Sequence, residues 1–449
     1  MLQEQTSAAG IDDPLQSRTL YARARKSFPL GINRGTMELD PGPIYMASGQ
    51  GAHITDLDGR RYLDLNNNFT TLLHGHAYLP VMEAVSKQLR QGTCFANPTA
   101  HEIALAELLI ERIPAIEQLR FVNTDSEAVM FAIKAARAYT GRPAIARFAG
   151  AYHGSYDWAE IGQNVASDDR KDRLATAAPA YRGAPAHIAD DVLVLEFNDI
   201  DRLELQLATL ADRLAAILID PMPSRAGLLE PQKPFIDLIH SLSRQHGILI
   251  IADEVLNLRQ SYQGAASRYG LVPDLLTMGK IIGGGFPIGA IGGRSDVMAV
   301  FGKEGQPCQV SQGGTFSANP VSMVAGLVAM QAMTRSAFDR LERMGDRLRS
   351  QLAQCAGNRN LAFSITGAAS LFRIHPRWVA PSRYAEAIPT KDGLTVMHAM
   401  TRFFRENGVC LPLGAAACLS TPMTDADIDH VVSVFDDFLK TPIARRQET

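Results

Sequence analysis

Residues 275–285, LLTMGKIIGGG, carry a short apolar run into one lysine, Lys280, and then into three consecutive glycines. A run of this length bounded by glycine reads as a strand buried on both faces, with an amine delivered at its end. Similar runs lie upstream and downstream. LRFVN (119–123) leads into SEAVMFAIKAARAY, where Ala128, Phe131, Ala132, Ala135 and Tyr139 recur at helical spacing and Gly141 can end the helix. AAILIDP (215–221), a helix around PFIDLIHSLSRQHG, GILIIADEV (247–255), PDLLTMGK (273–280) and IGAIGG (288–293) follow. The alternation predicts an α/β domain with a mostly parallel sheet covered by helices on each side.

At 449 residues the chain exceeds the roughly 250 to 300 residues of a single compact core, so two domains are expected. Residues 71–325 form the large one. Residues 326–449, with a long helix over 335–355 and a last helix starting near Thr424, form a smaller α+β domain, and residues 1–70 pack with it. In the N-terminal part, AHITDLDGRRYLDL (52–65) reads as a hairpin around Asp58 and Gly59. Segment 156–187 lacks periodicity and is expected to be a lid. Hydrophobic residues at 46% and charged residues at 20% exclude disordered and fibrous classes. A net charge of -3 gives no general attraction to nucleic acid or anionic lipid, so a small-molecule partner is expected. Five widely spaced cysteines without a CxxC pair argue against a disulfide framework and a zinc site. No uninterrupted apolar run reaches about 18 residues and the first residues lack the order of a signal peptide, which predicts a cytoplasmic protein without a membrane span.

An amine set against apolar walls loses affinity for its proton and becomes a nucleophile able to form a Schiff base with an aldehyde. Pyridoxal 5'-phosphate is the aldehyde that the companions of Lys280 suit. Its ring nitrogen needs a buried carboxylate, and Asp253 ends an apolar strand in LIIADEV. Its ring wants an aromatic partner, for which Tyr152 in GAYHGSY is the candidate. Its phosphate wants a helix N-terminus, and Thr124, Asp125 and Ser126 lie where LRFVN turns into a helix.

These segments, with GGTFSANP downstream, resemble the pyridoxal-phosphate enzymes of fold type I in aminotransferase class III. IEQLRF, YTGRPAI, GGRSDVMAVF and MTDADID are most similar to the branch holding β-phenylalanine aminotransferases and glutamate-1-semialdehyde aminomutases. The resemblance spans about residues 25 to 440. It implies a seven-stranded type of sheet, Lys280 as the Schiff-base lysine and Asp253 as the partner of the pyridine nitrogen. Val255 would pack against the ring with Tyr152 on the other face, and Ser126 with its neighbours would hold the phosphate. Thr315 would reach the phosphate of a second subunit, which implies a homodimer with shared sites. Asp220 stands where that family usually has glutamate before proline. Two departures stand out: Asp125 occupies a position usually held by glycine, and Leu258 replaces the glycine that usually follows the Asp-Glu-Val segment.

The implied reaction passes an amino group from a β-amino acid or related amine to a carbonyl acceptor. The alternative is an aminomutase of the glutamate-1-semialdehyde type, which moves the amine within one molecule. Arg34 is the candidate for a substrate carboxylate, because a guanidinium offers a forked pair of donors. An arginine at a similar position does this in β-phenylalanine aminotransferases. That branch carries a second arginine near the C-terminus, where this chain offers Leu413, so a more apolar pocket is implied. Asn66, Asn67, Asn68 and Phe69 are expected to line the same cavity. His74 and His76 lack nearby acids or cysteines in sequence, and no metal is expected.

Overall fold

The computed structural model describes residues 15–35, 42–163 and 179–446. Of the segment expected to be a lid, residues 164–178 lie outside the described residues. Seven strands make the main sheet: β1 (Gln118–Val122), β2 (Ala144–Phe148), β3 (Val192–Leu195), β4 (Leu214–Ile219), β5 (Leu249–Asp253), β6 (Leu275–Gly279) and β7 (Gly289–Gly293). Their order across the sheet is β1-β7-β6-β5-β4-β2-β3. Neighbours from β6 to β3 run parallel, and β7 alone runs antiparallel to both of its partners, β1 and β6. The expected α/β class and mostly parallel sheet are what the chain adopts. Strands β2 and β3 were not singled out from the sequence; the first is short, and the second follows an aperiodic stretch.

Burial explains why these runs are strands. Every residue of β4, β5 and β6 is buried. Alternate side chains of β4 enter different cores: Leu214, Ile217 and Ile219 join Phe235 and Ile239 of the helix Lys233–His246, while Ala216 and Leu218 join Ala132 and Ala136 of the helix Asp125–Thr140. A strand with two dry faces must be apolar at every position. Each fully buried leucine or isoleucine contributes about 1.5–3 kcal/mol.

Two smaller sheets tie the chain ends together. Met46–Gln50, His53–Asp56 and Arg61–Asp64 form an antiparallel meander, and Val409–Cys410 adds parallel to the last of these. The hairpin turn has Gly59 at φ 83, as the DG pair predicts. Ser364–Thr366, Leu371–His375 and Ala417–Cys418 form the third sheet. The long helix runs Arg335–Asn358. The last helix, Asp425–Leu439, starts with a reciprocal capping box between Thr424 and Asp427.

The helix Pro320–Ala332 rests directly on the turn that carries the lysine. A Cβ on Gly326 would stand 2.0 Å from the carbonyl oxygen of Ile282, and one on Gly284 would stand 2.4 Å from that of Ala325. Replacing Gly326 with alanine should therefore push helix and turn apart. The cost, about 1–3 kcal/mol for overpacking, is offset only in part by better helix propensity. Thermal unfolding followed by circular dichroism should show a lower Tm; an unchanged Tm would contradict this seating.

Candidate active site

The sheet register brings three chain segments to one edge. Val122 at the end of β1 and Gly279 at the end of β6 both pair with Gly289 at the start of β7. Because β7 is antiparallel to both, β1 and β6 end on the same side, and β5 ends beside them with Asp253 opposite Thr277. Ligand sites of open α/β sheets form at such carboxyl ends. The approach is close enough to need glycine. A Cβ on Gly289 would lie 2.2 Å from the carbonyl oxygen of Thr124, and one on Gly279 would lie 1.8 Å from Oδ1 of Asp125.

Asp253 is buried and accepts three hydrogen bonds: from His153 Nδ1 at 2.6 Å, from Thr277 Oγ1 at 3.1 Å and from the amide of Val255 at 3.1 Å. Burial by itself would raise its carboxyl pKa, but the His153 bond and the amide of Val255 outweigh burial and hold it below the usual carboxylate range. Burial in turn pushes the His153 imidazole down, so this ring is neutral, with its proton on Nδ1 facing the carboxylate. Asp220 behaves oppositely. Burial and then the charge of Asp253 push it well above the carboxylate range, and its Oδ1 accepts from Asn257 Nδ2 and the amide of Met222. Two buried carboxyls of one site are thus pushed in opposite directions.

Lys280 begins the turn after β6 with φ 47, and its Nζ lies 3.4 Å from Oδ2 of Asp125. The lysine expected against apolar walls is therefore paired with a carboxylate. Asp125 is half-buried, and burial pushes its carboxyl up while Lys280 opposes the shift. Its side chain is turned to the lysine. Thr124, not Asp125, caps the helix Asp125–Thr140, in a capping box with Glu127. The amides of Asp125 and Ser126 donate to no other described residue, which leaves two N–H groups at the positive end of a 16-residue helix. Ser126 Oγ accepts from the amide of Ser155 at 3.0 Å, and Gly154, at φ 85, has no room for a Cβ beside it. Amides, hydroxyl and helix end together make a cradle suited to a phosphate. Tyr152 is exposed, Val255 is buried, and Thr315 lies exposed in the turn beside Phe316.

Arg34 donates from Nη1 to Oδ1 of Asn68 at 3.3 Å, and its guanidinium lies 5.8 Å from the centre of the Phe69 ring. The segment below is unusual: Asn67, Asn68, Phe69 and Thr70 have φ values of 47, 50, 55 and 71, one turn of left-handed helix. Asp64 Oδ1 accepts from the amides of Asn66 and Asn67, and Arg259 Nη1 donates to the carbonyl of Thr70 at 2.7 Å. Leu258 is buried in the larger core cluster. His74 bonds Thr421 and the carbonyl of Ala329, and His76 bonds Asp64, so the two histidines have separate partners.

His153, Thr277 and Asn257 are members of the site that sequence reasoning passed over. His153 sits inside the quoted GAYHGSY, but its partner lies 100 residues further along the chain.

A family model described as aminotransferase class-III matches residues 36–439. An omega-transaminase from Sphaerobacter thermophilus is 44% identical with a TM-score of 0.92, covering 94% of this chain and 97% of that one. A beta-phenylalanine aminotransferase from Variovorax paradoxus is 30% identical with a TM-score of 0.86, covering 94% and 93%. A glutamate-1-semialdehyde 2,1-aminomutase from Methanothermobacter thermautotrophicus is 33% identical over 405 residues, 90% of this chain and 93% of that protein. With the lysine, the anionic carboxyl and the helix end already gathered at one sheet edge, likeness along nearly the whole length leaves no ambiguity of family: the chain belongs to the class-III aminotransferases, which are enzymes dependent on pyridoxal phosphate.

Proposed function

We propose that this chain moves an amino group from a β-amino acid or related amine to a keto acid, with Lys280 as the residue that carries and releases pyridoxal 5'-phosphate. The observation that carries this reading is the emergence of Lys280 and the His153-clamped Asp253 from adjoining strands. When bound, the cofactor supplies an electron sink for the bond that breaks at the substrate. The residues present suit it. Asp253, kept anionic by three donors, would hold a protonated ring nitrogen. Tyr152 and Val255 would bracket the ring, with Asp220 close by. The free amides of Asp125 and Ser126, the Ser126 hydroxyl and Thr124 would hold the phosphate, and Thr315 would serve the site of a second copy in a homodimer.

The chain's own part in the reaction is proton management. Nζ of Lys280, once free, takes the proton from the amine-bearing carbon and returns it. Asp125 keeps Nζ aimed by an ion pair. Arg34, held by Asn68 and Phe69, binds the substrate carboxylate and so fixes which carbon faces Nζ.

The transaminase reading is supported by the 44% identity to the Sphaerobacter enzyme. The aminomutase reading is supported by curated relatives of that name at 33% to 35% identity. A panel of α-, β- and ω-amino acids, offered to the cofactor-loaded protein while its visible absorbance is followed, separates them. Discharge by β-amino acids is expected; discharge only by glutamate-1-semialdehyde or 4,5-diaminovalerate would give the aminomutase.

Borohydride reduction of the loaded protein, followed by peptide mass spectrometry, should mark Lys280. Lys280→Ala should remain unmarked and lose about 10²- to 10⁴-fold in turnover; a mark on another lysine would defeat the assignment. Arg34→Ala should raise KM for carboxylated donors about 10- to 100-fold, the worth of a charged hydrogen-bond pair, with little change for amines lacking a carboxylate. Equal KM values for the two proteins would remove Arg34 from the site.

A further inference from the structure

The branch this chain resembles uses a second arginine where this chain has Leu413, yet the site is not short of positive charge. Arg225, in the turn after β4, extends its guanidinium to 5.4 Å from the centre of the Tyr152 ring and is exposed. Among the described residues it has no carboxylate partner.

The turn is fixed in place. Arg373, itself buried, donates from Nη1 to the carbonyl oxygens of Ser224 at 3.0 Å and Arg225 at 3.3 Å. The amide of Ala416 donates to Oγ of Ser224 at 3.1 Å, so the loop that carries Leu413 is tied to the same turn. Arg373 and Leu413 also line one small pocket.

A third guanidinium, Arg147, is fully buried and donates only to backbone, to the carbonyls of Ala159, Phe148 and Ala151. Nε of Arg147 and Nε of Arg373 are buried without a hydrogen-bond partner among the described residues. Burial and, to a lesser degree, the charge of Arg225 lower the proton affinity of the Arg147 guanidinium, which sets the two arginines near one another. Asp253, whose charge favours the protonated Arg147, is already engaged by His153. Like charges held near one another repel in a medium of reduced dielectric, and an anion that enters beside the exposed one relieves this. Of Arg147 and Arg225, the accessible guanidinium is that of Arg225, over the ring of Tyr152, the residue next to the Asp253 partner His153.

We propose that Arg225 is a carboxylate-binding residue of the substrate site, set over Tyr152, that takes over the work of the missing C-terminal arginine. Its ligand is the carboxylate of the keto-acid acceptor or of the amino acid that replaces it in the same place. The inference rests on the aminotransferase reading above for the identity of the substrate. The exposed guanidinium over Tyr152 is observed independently of that reading.

The test uses two unreactive probes, glutarate and its neutral isostere glutaramide, titrated calorimetrically into full-length protein with and without pyridoxal phosphate. Wild type should prefer glutarate. Arg225→Gln should weaken glutarate by at least about tenfold, the worth of one charge-assisted bond, and leave glutaramide unchanged. Arg225→Lys, which restores a charge without the fork, should recover part of the loss. Glutarate affinity indifferent to the substitution would overturn the proposal. So would equal weakening of both probes, since Arg225 would then merely support Tyr152. Uptake of the cofactor with its visible absorbance is read in the same samples. Its failure in wild type would count against the aminotransferase reading, while the glutarate comparison in cofactor-free protein still decides the role of Arg225.

Discussion

The pairing of Gly289 with both Val122 and Gly279 is the constraint on which the site depends. One antiparallel strand placed between two parallel ones makes β1 and β6 end together, although they are far apart in sequence. The cost is that no side chain can stand at Gly289 or Gly279, because the start of the helix Asp125–Thr140 occupies that space. A Cβ at either position would drive the helix N-terminus from the lysine and open the cradle formed by its free amides. The glycines are therefore part of the chemistry, though neither bears a functional group.

Electrostatics follow from that geometry. Several groups are forced into dry surroundings within a small volume, and burial acts on all of them in the direction of neutrality. Asp253 escapes because three donors converge on it, whereas Asp220, with two donors and the charge of Asp253 acting on it, is pushed well above the carboxylate range. The outcome is decided by the count and charge of partners, since both residues are buried to a similar degree. His153 is the deciding group: it remains neutral, offers its Nδ1 proton, and makes the difference between the two acids.

How much of this could be read from the sequence depends on the range of the interaction. Apolar runs ending in Asp253 and Lys280 are local patterns, as are the helix starts near Thr124 and Thr424, and these were legible. Strand β3, hidden behind an aperiodic stretch, was not. Neither was the direction taken by Asp125: its position at a helix start suggests a cap, but Thr124 already satisfies the first turn, which frees the carboxylate to reach Lys280 across 155 residues of chain. The pairing of His153 with Asp253 and the tether from Arg373 to the Ser224–Arg225 turn are of the same kind. They join residues that only the folded sheet brings together, and no spacing rule in one sequence encodes them.

The left-handed turn Asn67–Thr70 carries the contacts that hold Arg34. Four residues in that region cost about 1–2 kcal/mol each for non-glycine side chains, somewhat less for asparagine. The turn persists because Asp64, fixed by His76 at 2.8 Å, accepts from its first amide, Asn67, and from that of Asn66 just before it, and because Arg259 holds the Thr70 carbonyl. If it relaxed to right-handed geometry, Asn68 and Phe69 would swing away from Arg34 and the guanidinium would lose both contacts. A wall stabilised in this way belongs to the terminal segments, not to the central sheet. On the proposed function, the sheet edge would keep one lysine and one clamped acid unchanged, while substitutions in the turn, at Arg34 or around Arg225 would alter which carboxylate is accepted without disturbing the proton transfers proposed at Nζ.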